Sequence, residues 1–406
     1  MKNLYYDVVI AGCGVAGLYA ALNLPEEMNI LMLSKKDLES CDSMLAQGGI
    51  CVLRDESDYD SYFEDTMRAG HYENRKESVD IMIRSSRDVI NDLLNFGVRF
   101  AKNPDGSLAY TREGAHSRPR ICFHEDITGK EITTTLLSHV KKCSNVTILE
   151  YTTMADILVD DGKCTGMVAE TKEGETLHIH ADNTIMATGG IGGLYEHSTN
   201  FPILTGDACR IAKEHGVELE HMDYVQIHPT CLYSKKPGRS FLISESARGE
   251  GAVLLNHKGE RFVNELLPRD VVTKAIQEEM KKEGVEYEWI SFAHVPKEII
   301  LKHFPHIYEK CLEEGYDLLK EPAPIVPAQH YFMGGVHVNR DSATTMPNLY
   351  AVGETSCNGV HGKNRLASNS LLESLVFAKR AAVKIQNEEK GNEDHEFESN
   401  YHAACC

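Results

Sequence analysis

Short apolar runs alternate with amphipathic stretches along the first half of the chain. Val8-Val9-Ile10 is an uninterrupted apolar run of the kind found in buried parallel strands, and residues 29–33 form a second such run. Residues 15–24, between them, have a helical pattern that ends at Pro25. This order predicts a strand, a helix and a second strand, which is the repeating unit of α/β folds.

The alternation of strand and helix patterns continues to about residue 221. Residues 75–96 predict an amphipathic helix, and Asp160-Asp161-Gly162-Lys163 predicts a hairpin turn. Further strands are predicted over residues 146–149, 157–159, 166–170 and 183–187. Residues 1–221 are therefore assigned to the first part of one α/β domain.

The pattern changes over residues 222–332, which predict an inserted α+β domain with a charged helix around 271–282. From Met333 the chain is expected to return to the first domain, over residues 333–386. Ser370-Leu371-Leu372-Glu373 has the form of a capping box and predicts a helix to about Ile385. Residues 387–406 are acidic and poor in apolar side chains, which predicts a mobile tail.

A glycine-rich stretch joins the first strand to the first helix. It reads Asp7-Val8-Val9-Ile10-Ala11-Gly12-Cys13-Gly14-Val15-Ala16-Gly17. In a dinucleotide site Gly12 would allow the tight turn, Gly14 would let the backbone approach a pyrophosphate, and Gly17 would let the helix pack on the strand. The helix would direct its first N–H groups toward the phosphates. The alternative is a glycine-rich strand–helix turn that binds no nucleotide.

Two later stretches also combine a strand with glycines. They are Ala187-Thr188-Gly189-Gly190 and Leu349-Tyr350-Ala351-Val352-Gly353-Glu354. Their spacing predicts a chain that leaves a dinucleotide domain, builds a second unit and returns. The fingerprint also expects Asp or Glu after the second strand, on the ribose. Ser34-Lys35 stand there instead, and a hydroxyl can still bond a ribose.

Composition narrows the class of protein. The 406 residues are 42% hydrophobic, which suits a globular protein of two or more domains. A formal charge of −19 argues against nucleic-acid binding, and no apolar run reaches the ~18 residues that a membrane span needs. The 12 cysteines have no zinc-finger spacing and are expected to be reduced thiols of a cytoplasmic protein, so neither a metal site nor a catalytic cysteine is predicted.

A set of motifs, taken in order, identifies a family. They are Ala46-Gln47-Gly48-Gly49, His228-Pro229-Thr230, Arg248-Gly249-Glu250-Gly251, Pro268-Arg269-Asp270 and residues 364–373, Asn-Arg-Leu-Ala-Ser-Asn-Ser-Leu-Leu-Glu. From about residue 5 to 386 the chain resembles the flavoprotein family of succinate dehydrogenase, fumarate reductase and L-aspartate oxidase. The resemblance implies a glutathione-reductase-like, FAD-binding Rossmann domain with an inserted α+β capping domain.

Two features are similar to the L-aspartate oxidase branch of that family. Asp42 occupies the position at which respiratory members attach FAD to a histidine, so the resemblance implies non-covalent FAD. Thr111-Arg112-Glu113-Gly114-Ala115-His116-Ser117 is similar to the oxidase segment that carries a glutamate toward the substrate amino group. The C-terminal helical domain usual in that branch is expected to be absent.

The resemblance implies a reaction and its partners. L-aspartate would be oxidised to iminoaspartate, with hydride transfer to FAD and reoxidation by O₂ or fumarate. This would be the first step of de novo NAD synthesis, coupled in function to a quinolinate synthase that consumes the imine. The nearest alternative is a soluble fumarate reductase or succinate-oxidising flavoprotein. A flavin-binding interaction or sensor protein without turnover is an alternative from another class.

Arg365 is the first candidate for a carboxylate clamp, because a guanidinium can bind a carboxylate through two parallel hydrogen bonds. Its alternative is a surface salt bridge. His228 and His330 taken alone would more often be satisfied core histidines, but the resemblance implies contacts with substrate carboxylates. It also implies that Ser244 and Glu245 line the distal carboxylate site.

The resemblance implies that Arg269 is the acid/base near the substrate Cα, and an interdomain salt bridge is its alternative. Glu113 would accept the substrate ammonium, which succinate and fumarate lack. Its alternative is a solvated loop acid beside Arg112. The residues expected to bind the cofactor are Gly12, Cys13, Gly14, Val15, Ala16, Gly17, Ser34, Lys35, Ser43, Ala46, Gln47, Gly48, Gly49, Thr188, Gly189, Asp207, Glu354, Ser370 and Leu371.

Overall fold

The computed structural model describes residues 2–236 and 238–403, with side chains described up to residue 388. The strands are β1 (Lys2–Ala11), β2 (Ile30–Leu33), β3 (Ile50–Cys51), β4 (Ile121–Cys122), β5 (Val146–Leu149), β6 (Thr152–Asp160), β7 (Lys163–Thr171), β8 (Thr176–Met186), β9 (Leu219–Glu220), β10 (Val225–Leu232), β11 (Phe241–Leu242), β12 (Val253–Leu255), β13 (Glu288–Ser291), β14 (Ala323–Phe332), β15 (Gly335–His337), β16 (Leu349–Ala351) and β17 (Ser356–Cys357).

The helices follow the same chain order. They are α1 (Val15–Asn23), α2 (Tyr59–Ala69), α3 (Lys76–Phe96), α4 (Thr128–Val140), α5 (Asp207–Glu214), α6 (Glu245–Gly249), α7 (Arg269–Glu283), α8 (Lys297–His303), α9 (Pro305–Glu313) and α10 (Ser370–Ala403). Short 3-10 helices lie at Asp42–Leu45, Glu56–Asp58, Gly192–Leu194 and Gly353–Thr355. None of the helices described in residues 2–236 and 238–403 is long and apolar enough to cross a bilayer.

A seven-stranded sheet forms the first structural unit. Its order is β5-β2-β1-β8-β7-β6, and β16 pairs with β8. The strands β5, β2, β1, β8 and β16 are parallel. Strand β7 pairs antiparallel with β8 on one side and, across the predicted hairpin at 160–163, with β6 on the other. The mixed α/β class and the strand–helix–strand unit at the N-terminus are thereby confirmed.

This sheet is buried on both faces, which explains the uninterrupted apolar run in β1. Val8 and Ile10 pack in one core cluster with α1, α3, α4 and α10. Val9 and Ala11 point the other way, into a second cluster that includes α5. Because successive side chains of a strand alternate between faces, a strand covered on both sides has no polar positions to alternate with.

The second unit is a five-stranded antiparallel sheet of order β11-β10-β14-β13-β12, within residues 225–332. It has its own core, to which α7, α8 and α9 contribute Val272, Ile300 and Ile307. After β14 the chain returns to the first unit. There β15 pairs with β9 and β17, and β16 joins the large sheet beside β8.

The last helix differs from the prediction in two ways. It extends from Ser370 to Ala403 rather than to about Ile385, so the expected tail is helical as far as it is described, and residues 404–406 lie outside the described part. The predicted capping box does not form. The Ser370 hydroxyl instead accepts a hydrogen bond from Arg365, and Glu373 accepts bonds from Asn358 and Ser374.

Candidate active site

A large cavity lies at the carboxyl ends of β1, β2 and β8 and extends to the second sheet. It encloses about 1600 Å³, counting the space open to solvent. Ala11, Leu33 and Ala187 mark the strand ends in its wall, and Leu242 and Arg269 come from the second unit. Crevices outside the carboxyl ends of parallel strands are the usual ligand sites of such sheets.

The glycine-rich turn at one end of the cavity has no room for side chains. A Cβ added at Gly12 would lie 2.0 Å from the Ala187 carbonyl oxygen, and Gly12 has φ +120°. A Cβ added at Gly17 would lie 2.1 Å from the Gly12 carbonyl oxygen. Gly17 itself is outside the cavity wall and acts by letting α1 pack closely against the turn. The start of α1 thus faces the cavity through Gly14, Val15 and Ala16.

The second and third strand ends extend the same wall. Lys35 forms an ion pair of 2.7 Å with Asp207, so the residue that replaces the usual acid is paired with an acid from α5. Gly189, with φ +76°, and Thr188 follow β8. Glu354 accepts a hydrogen bond of 2.8 Å from the Phe332 N–H, and its burial, with Asp42 nearby, raises the pKa of its carboxyl to about 8.

The loop of residues 46–49 and the start of α10 enclose the middle of the cavity. The Gln47 Oε1 atom is buried and has no partner among the described residues. Ser370 and Leu371, at the N-terminus of α10, lie in the wall as well. This part of the cavity combines an unpaired acceptor with a helix N-terminus, the kind of end that stabilises negative charge.

His228 and His330 lie together at the other end of the cavity, with ring centroids 5.1 Å apart. Burial and the neighbouring Arg269 hold the pKa of both rings well below the usual range, so both are neutral near pH 7. The Thr230 N–H donates to His228 Nδ1, which assigns the proton of that ring to Nε2. That nitrogen is buried and has no partner in the described chain, so it is an unused donor.

His330 is fixed in a similar way. Its Nδ1 lies 2.7 Å from the Thr199 hydroxyl, which leaves Nε2 for another contact. His330 lines the cavity directly, whereas His228 lies behind the wall and is fully buried. The two predicted histidines are therefore neighbours, with His330 in the cavity wall and His228 behind it.

Arg365 is buried, which rules out the surface salt bridge. Its guanidinium lies 4.3 Å from the Tyr331 ring centroid, and one Nη donates to Ser370 at 3.0 Å. Its Nε is buried without a partner in the described residues. Burial, with Arg269 nearby, lowers the pKa of Arg365 to about 10, so the group remains charged at neutral pH and has unused donors.

Arg269 begins α7 and is held by two side chains of its own unit. Its Nε donates to Glu245 at 2.5 Å and one Nη donates to Gln226 at 2.9 Å. Burial alone would raise the pKa of Glu245, but Arg269 and Arg248 hold it below its ordinary value. Glu245 is therefore an ionised carboxylate between two buried guanidinium groups, and Ser244 precedes it as the N-cap of α6.

Glu113 is a buried acid in the cavity wall, not a solvated loop acid. Its Oε1 accepts a hydrogen bond of 2.8 Å from Ser246, and its Oε2 accepts one from Ser368. Burial and the neighbouring Glu245 raise the pKa of its carboxyl above the ordinary value. Glu113 thus places a carboxylate acceptor in the same wall as the Arg269 and Arg365 guanidinium groups and the His330 ring.

Most of the predicted site residues come together in this cavity. Those in its wall are Gly12, Cys13, Gly14, Val15, Ala16, Ser34, Lys35, Ser43, Ala46, Gln47, Gly48, Gly49, Glu113, Thr188, Gly189, Asp207, Ser244, Glu245, Arg269, His330, Glu354, Arg365, Ser370 and Leu371. Gly17 and His228 support the wall from behind. Their roles toward a ligand remain predictions.

The sequence reasoning missed several residues of the wall, among them Asp42, Thr199, Arg239 and Ser368. Ser368 lies inside the recognised motif and could have been found there. Arg239 lies in a loop without any motif. The sequence assigns Asp42 no contact and only places it where respiratory members have the FAD-linked histidine. In the structure its Oδ1 accepts a hydrogen bond from the Phe201 N–H, and its Oδ2 is buried without a partner among the described residues. Burial raises the pKa of this carboxyl to about 7.

Comparison with known proteins finds a matching family model and similar proteins that share one name. The family model described as "FAD binding domain" matches residues 7–371. An L-aspartate oxidase of Clostridium perfringens is 52% identical over 382 residues, which are 94% of this chain and 87% of the relative. An L-aspartate oxidase of Acinetobacter baylyi is 41% identical over 95% of this chain and 74% of its own length.

Solved structures agree in fold. A structure of a mutated E. coli quinol fumarate reductase superposes with a TM-score of 0.90 at 32% sequence identity. The match covers 95% of this chain and 71% of that one. At this similarity the two chains share both the fold and a common sequence pattern.

Proposed function

Because the chain belongs to the FAD-binding domain family, and within it to the L-aspartate oxidases, we propose that its cavity binds FAD at the glycine-rich end and L-aspartate at the arginine-rich end. The enzyme oxidises L-aspartate to iminoaspartate in NAD biosynthesis, and FAD is reoxidised by O₂ or fumarate. The observation that carries the assignment of the site is the group of basic side chains, Arg365, Arg269 and His330, that lines the same cavity as the Glu113 carboxylate.

The described residues fit FAD at several points. The space beside Gly12 and Gly14 would admit a pyrophosphate, the start of α1 would stabilise its charge, and Lys35 and Ser34 would lie near the adenosine ribose. Glu354 would bind the ribityl hydroxyls, and the N–H groups at Ser370 and Leu371 would lie near the flavin pyrimidine ring. When bound, FAD supplies the acceptor for the hydride.

We propose that FAD is held without a covalent bond, because a carboxylate at Asp42 cannot form the histidyl linkage of the respiratory relatives. Acid precipitation of the yellow protein should then leave the flavin in the supernatant. Flavin that remains in the washed pellet would contradict the proposal.

The substrate carboxylates would be bound by neutral and charged donors together. Arg365 would bind one carboxylate with its unused donors. The neutral ring of His330, which lines the cavity, and the Nε2–H of His228, which lies behind it, would add hydrogen bonds. Ser244 and Glu245 would line the site of the other carboxylate. Arg269 would lie near the substrate Cα, held in orientation by Glu245 and Gln226.

The reaction removes a hydride from Cα and a proton from the nitrogen, so that a C=N bond replaces C–H and N–H. Glu113 would accept hydrogen bonds from the substrate ammonium and hold the nitrogen in place. The buried position of these groups keeps water away and strengthens each charged contact. Positioning and electrostatics are therefore the contributions expected of the protein itself.

The second unit is proposed to act as a cap, because Arg269, Ser244 and Glu245 belong to it while Glu113 and Arg365 belong to the first unit. Closure of the two units would complete the site.

Functional coupling to a quinolinate synthase is proposed because an imine is hydrolytically unstable. A cytoplasmic location is proposed because the described cysteines are free thiols.

Anaerobic addition of L-aspartate to the FAD-loaded enzyme tests the function directly. The flavin absorbance should bleach within the time of steady-state turnover, and succinate should bleach it much more slowly. Equal or faster bleaching by succinate would favour a succinate-oxidising flavoprotein. Absence of bleaching with either compound would favour a flavin-binding protein without turnover.

A further inference from the structure

Three segments of the chain meet at the Glu113 carboxylate. Ser246 lies on α6 of the second unit, Ser368 lies just before α10, and Gly48 lies in the loop that follows residue 46. The serines donate one hydrogen bond to each carboxylate oxygen. A Cβ at Gly48 would lie 2.2 Å from Oε1, so a side chain at this position would displace the carboxylate from where it lies.

Ser368 has a backbone conformation that is unfavourable for serine. Its φ is +61°, in the left-handed region that favours glycine or asparagine. Strain of this kind persists where the surrounding structure over-determines it, and it concentrates at functional sites. Here the strained backbone directs a buried hydroxyl at Glu113.

A chain of hydroxyls connects Glu113 to the neighbouring site. The Ser244 hydroxyl donates to the Ser246 hydroxyl at 3.2 Å, and the Ser246 hydroxyl donates to Glu113. Ser244 is also the N-cap of α6. The orientation of Ser246 is therefore fixed from both sides, and its proton is directed to the carboxylate.

We propose that Ser246 and Ser368 are positioning residues that determine amino-acid specificity, by holding Glu113 in place as an ionised acceptor for the substrate ammonium. The proposal rests on the assigned function and on the role proposed for Glu113. The serines stabilise the charged form of a buried carboxylate and oppose the effect of burial, which favours the neutral form that attracts an ammonium group less.

Other charged and titratable groups also face this carboxylate, so the serines do not act alone. They are Cys51 on β3, Glu245 and Arg248 on α6, Arg269 at the start of α7 and Arg365 before α10. Glu245 opposes the ionisation of Glu113, whereas the arginines favour it. None of them is changed in the test below.

The test compares two activities in each preparation: oxidation of L-aspartate and reduction of fumarate by the reduced enzyme. In Ser368→Ala and in Ser246→Ala, the kcat/KM for aspartate should fall about 10- to 150-fold, as expected for loss of a hydrogen bond to a charged group. Fumarate reduction should change less than about threefold, because fumarate has no ammonium. An equal fall of both activities would overturn the proposal.

The pH profile provides a second readout. Loss of a donor raises the pKa of Glu113, so the acid limb of aspartate kcat/KM should move to higher pH by about one to two units. The pH dependence of fumarate reduction should be the same as in the parent enzyme. Ser246→Thr, which retains a hydroxyl, should restore the parent profile, and an unmoved limb in both alanine variants would contradict the proposal.

Ser342→Ala is the matched control for Ser368→Ala. Ser342 is also buried, has φ +63°, and donates to the Phe377 carbonyl at 2.9 Å, but it lies outside the cavity wall. It should lose comparable stability while the ratio of the two activities stays within about twofold of the parent. If Ser368→Ala fails to retain FAD, Ser246→Ala, on a different element, decides the question.

A double-mutant cycle separates this proposal from the function on which it rests. In a Glu113→Gln background, Ser368→Ala should change the activity ratio less than about threefold, because its target is already neutral. A full additional loss would show that the serine acts elsewhere. Failure of the parent enzyme to turn over aspartate would instead refute the assigned function, and that result is read independently of the serine variants.

Discussion

At the residue scale, burial decides how each side chain of the site acts. His228 and His330 have pKa values held well below their usual range, so both rings are neutral near pH 7. Arg365 stays charged although burial lowers its pKa to about 10. The motifs predicted which residues meet, but their protonation depends on neighbours brought from distant parts of the chain. The sequence pattern could not supply that information.

Replacing Arg365 by Lys should cripple aspartate oxidation although the charge is retained. A lysine ammonium cannot form two parallel hydrogen bonds with a carboxylate, and it would lose the stacking on Tyr331. Loss of one side of a desolvated pair costs about 2–5 kcal/mol, so kcat/KM should fall about 30-fold to several thousandfold. Steady-state kinetics with aspartate measure the change.

Arg210→Lys is a suitable control for that substitution. Arg210 lies on α5, half exposed, in an ion pair with Glu214. Its replacement should leave kcat/KM unchanged within error, because exposed ion pairs contribute little. An Arg365→Lys enzyme within threefold of the parent would remove Arg365 from the substrate site.

At the element scale, the predicted strands and helices form, but several extend further than predicted. Strand β8 covers Thr176–Met186 rather than 183–187, and α10 continues past Ile385. The strand predicted over 146–149 has those bounds, and α3 is displaced by a single residue at its start. The helix α10 begins at Ser370 as predicted, but the Ser370 hydroxyl accepts a hydrogen bond from Arg365 in place of the predicted capping interaction. Local sequence predicts such elements well only where no tertiary contact competes.

The turn between β1 and α1 makes a prediction of its own. Gly12→Ala should weaken FAD binding by more than tenfold, because its Cβ would overlap the Ala187 carbonyl and force the turn apart. Fluorescence titration of the apoenzyme with FAD measures the dissociation constant. Gly97→Ala is the matched control, since Gly97 has φ +95° with open space around it.

The control separates backbone strain from lack of space. Gly97→Ala should cost about 1 kcal/mol of folding free energy and leave the FAD dissociation constant unchanged. If Gly12→Ala binds FAD as the parent does, the close approach at this turn is not needed for the cofactor.

At the scale of the whole molecule, the sequence predicted a chain that leaves one sheet, builds another and returns to the first. In the structure β16, which follows the second sheet in sequence, pairs in parallel with β8 of the first sheet. Some contacts between the units were not predictable, because they join residues that are far apart in sequence and lie in no recognised motif. Arg239 in the cavity wall and Asp126 between the units are examples.

Asp126 ties the second unit to the first. It lies between β4 and α4, is buried, and accepts hydrogen bonds from His306 at 2.6 Å and from the Ile307 N–H at 2.7 Å, both on α9. It therefore caps a helix of the other unit. Asp126→Ala would leave a buried N–H without a partner, at a cost of about 1–3 kcal/mol.

This cost should appear as local opening of the second unit. Amides of α8 and α9 should exchange hydrogen about 5- to 150-fold faster in Asp126→Ala, measured by mass spectrometry under native conditions. The flavin content of the variant should equal that of the parent, because Asp126 is outside the cavity wall. Asp55→Ala is the control, since Asp55 caps a short helix within its own unit through Ser57. Unchanged exchange in α9 of Asp126→Ala would mean that the two units are joined by other contacts, and that the cap does not depend on this one.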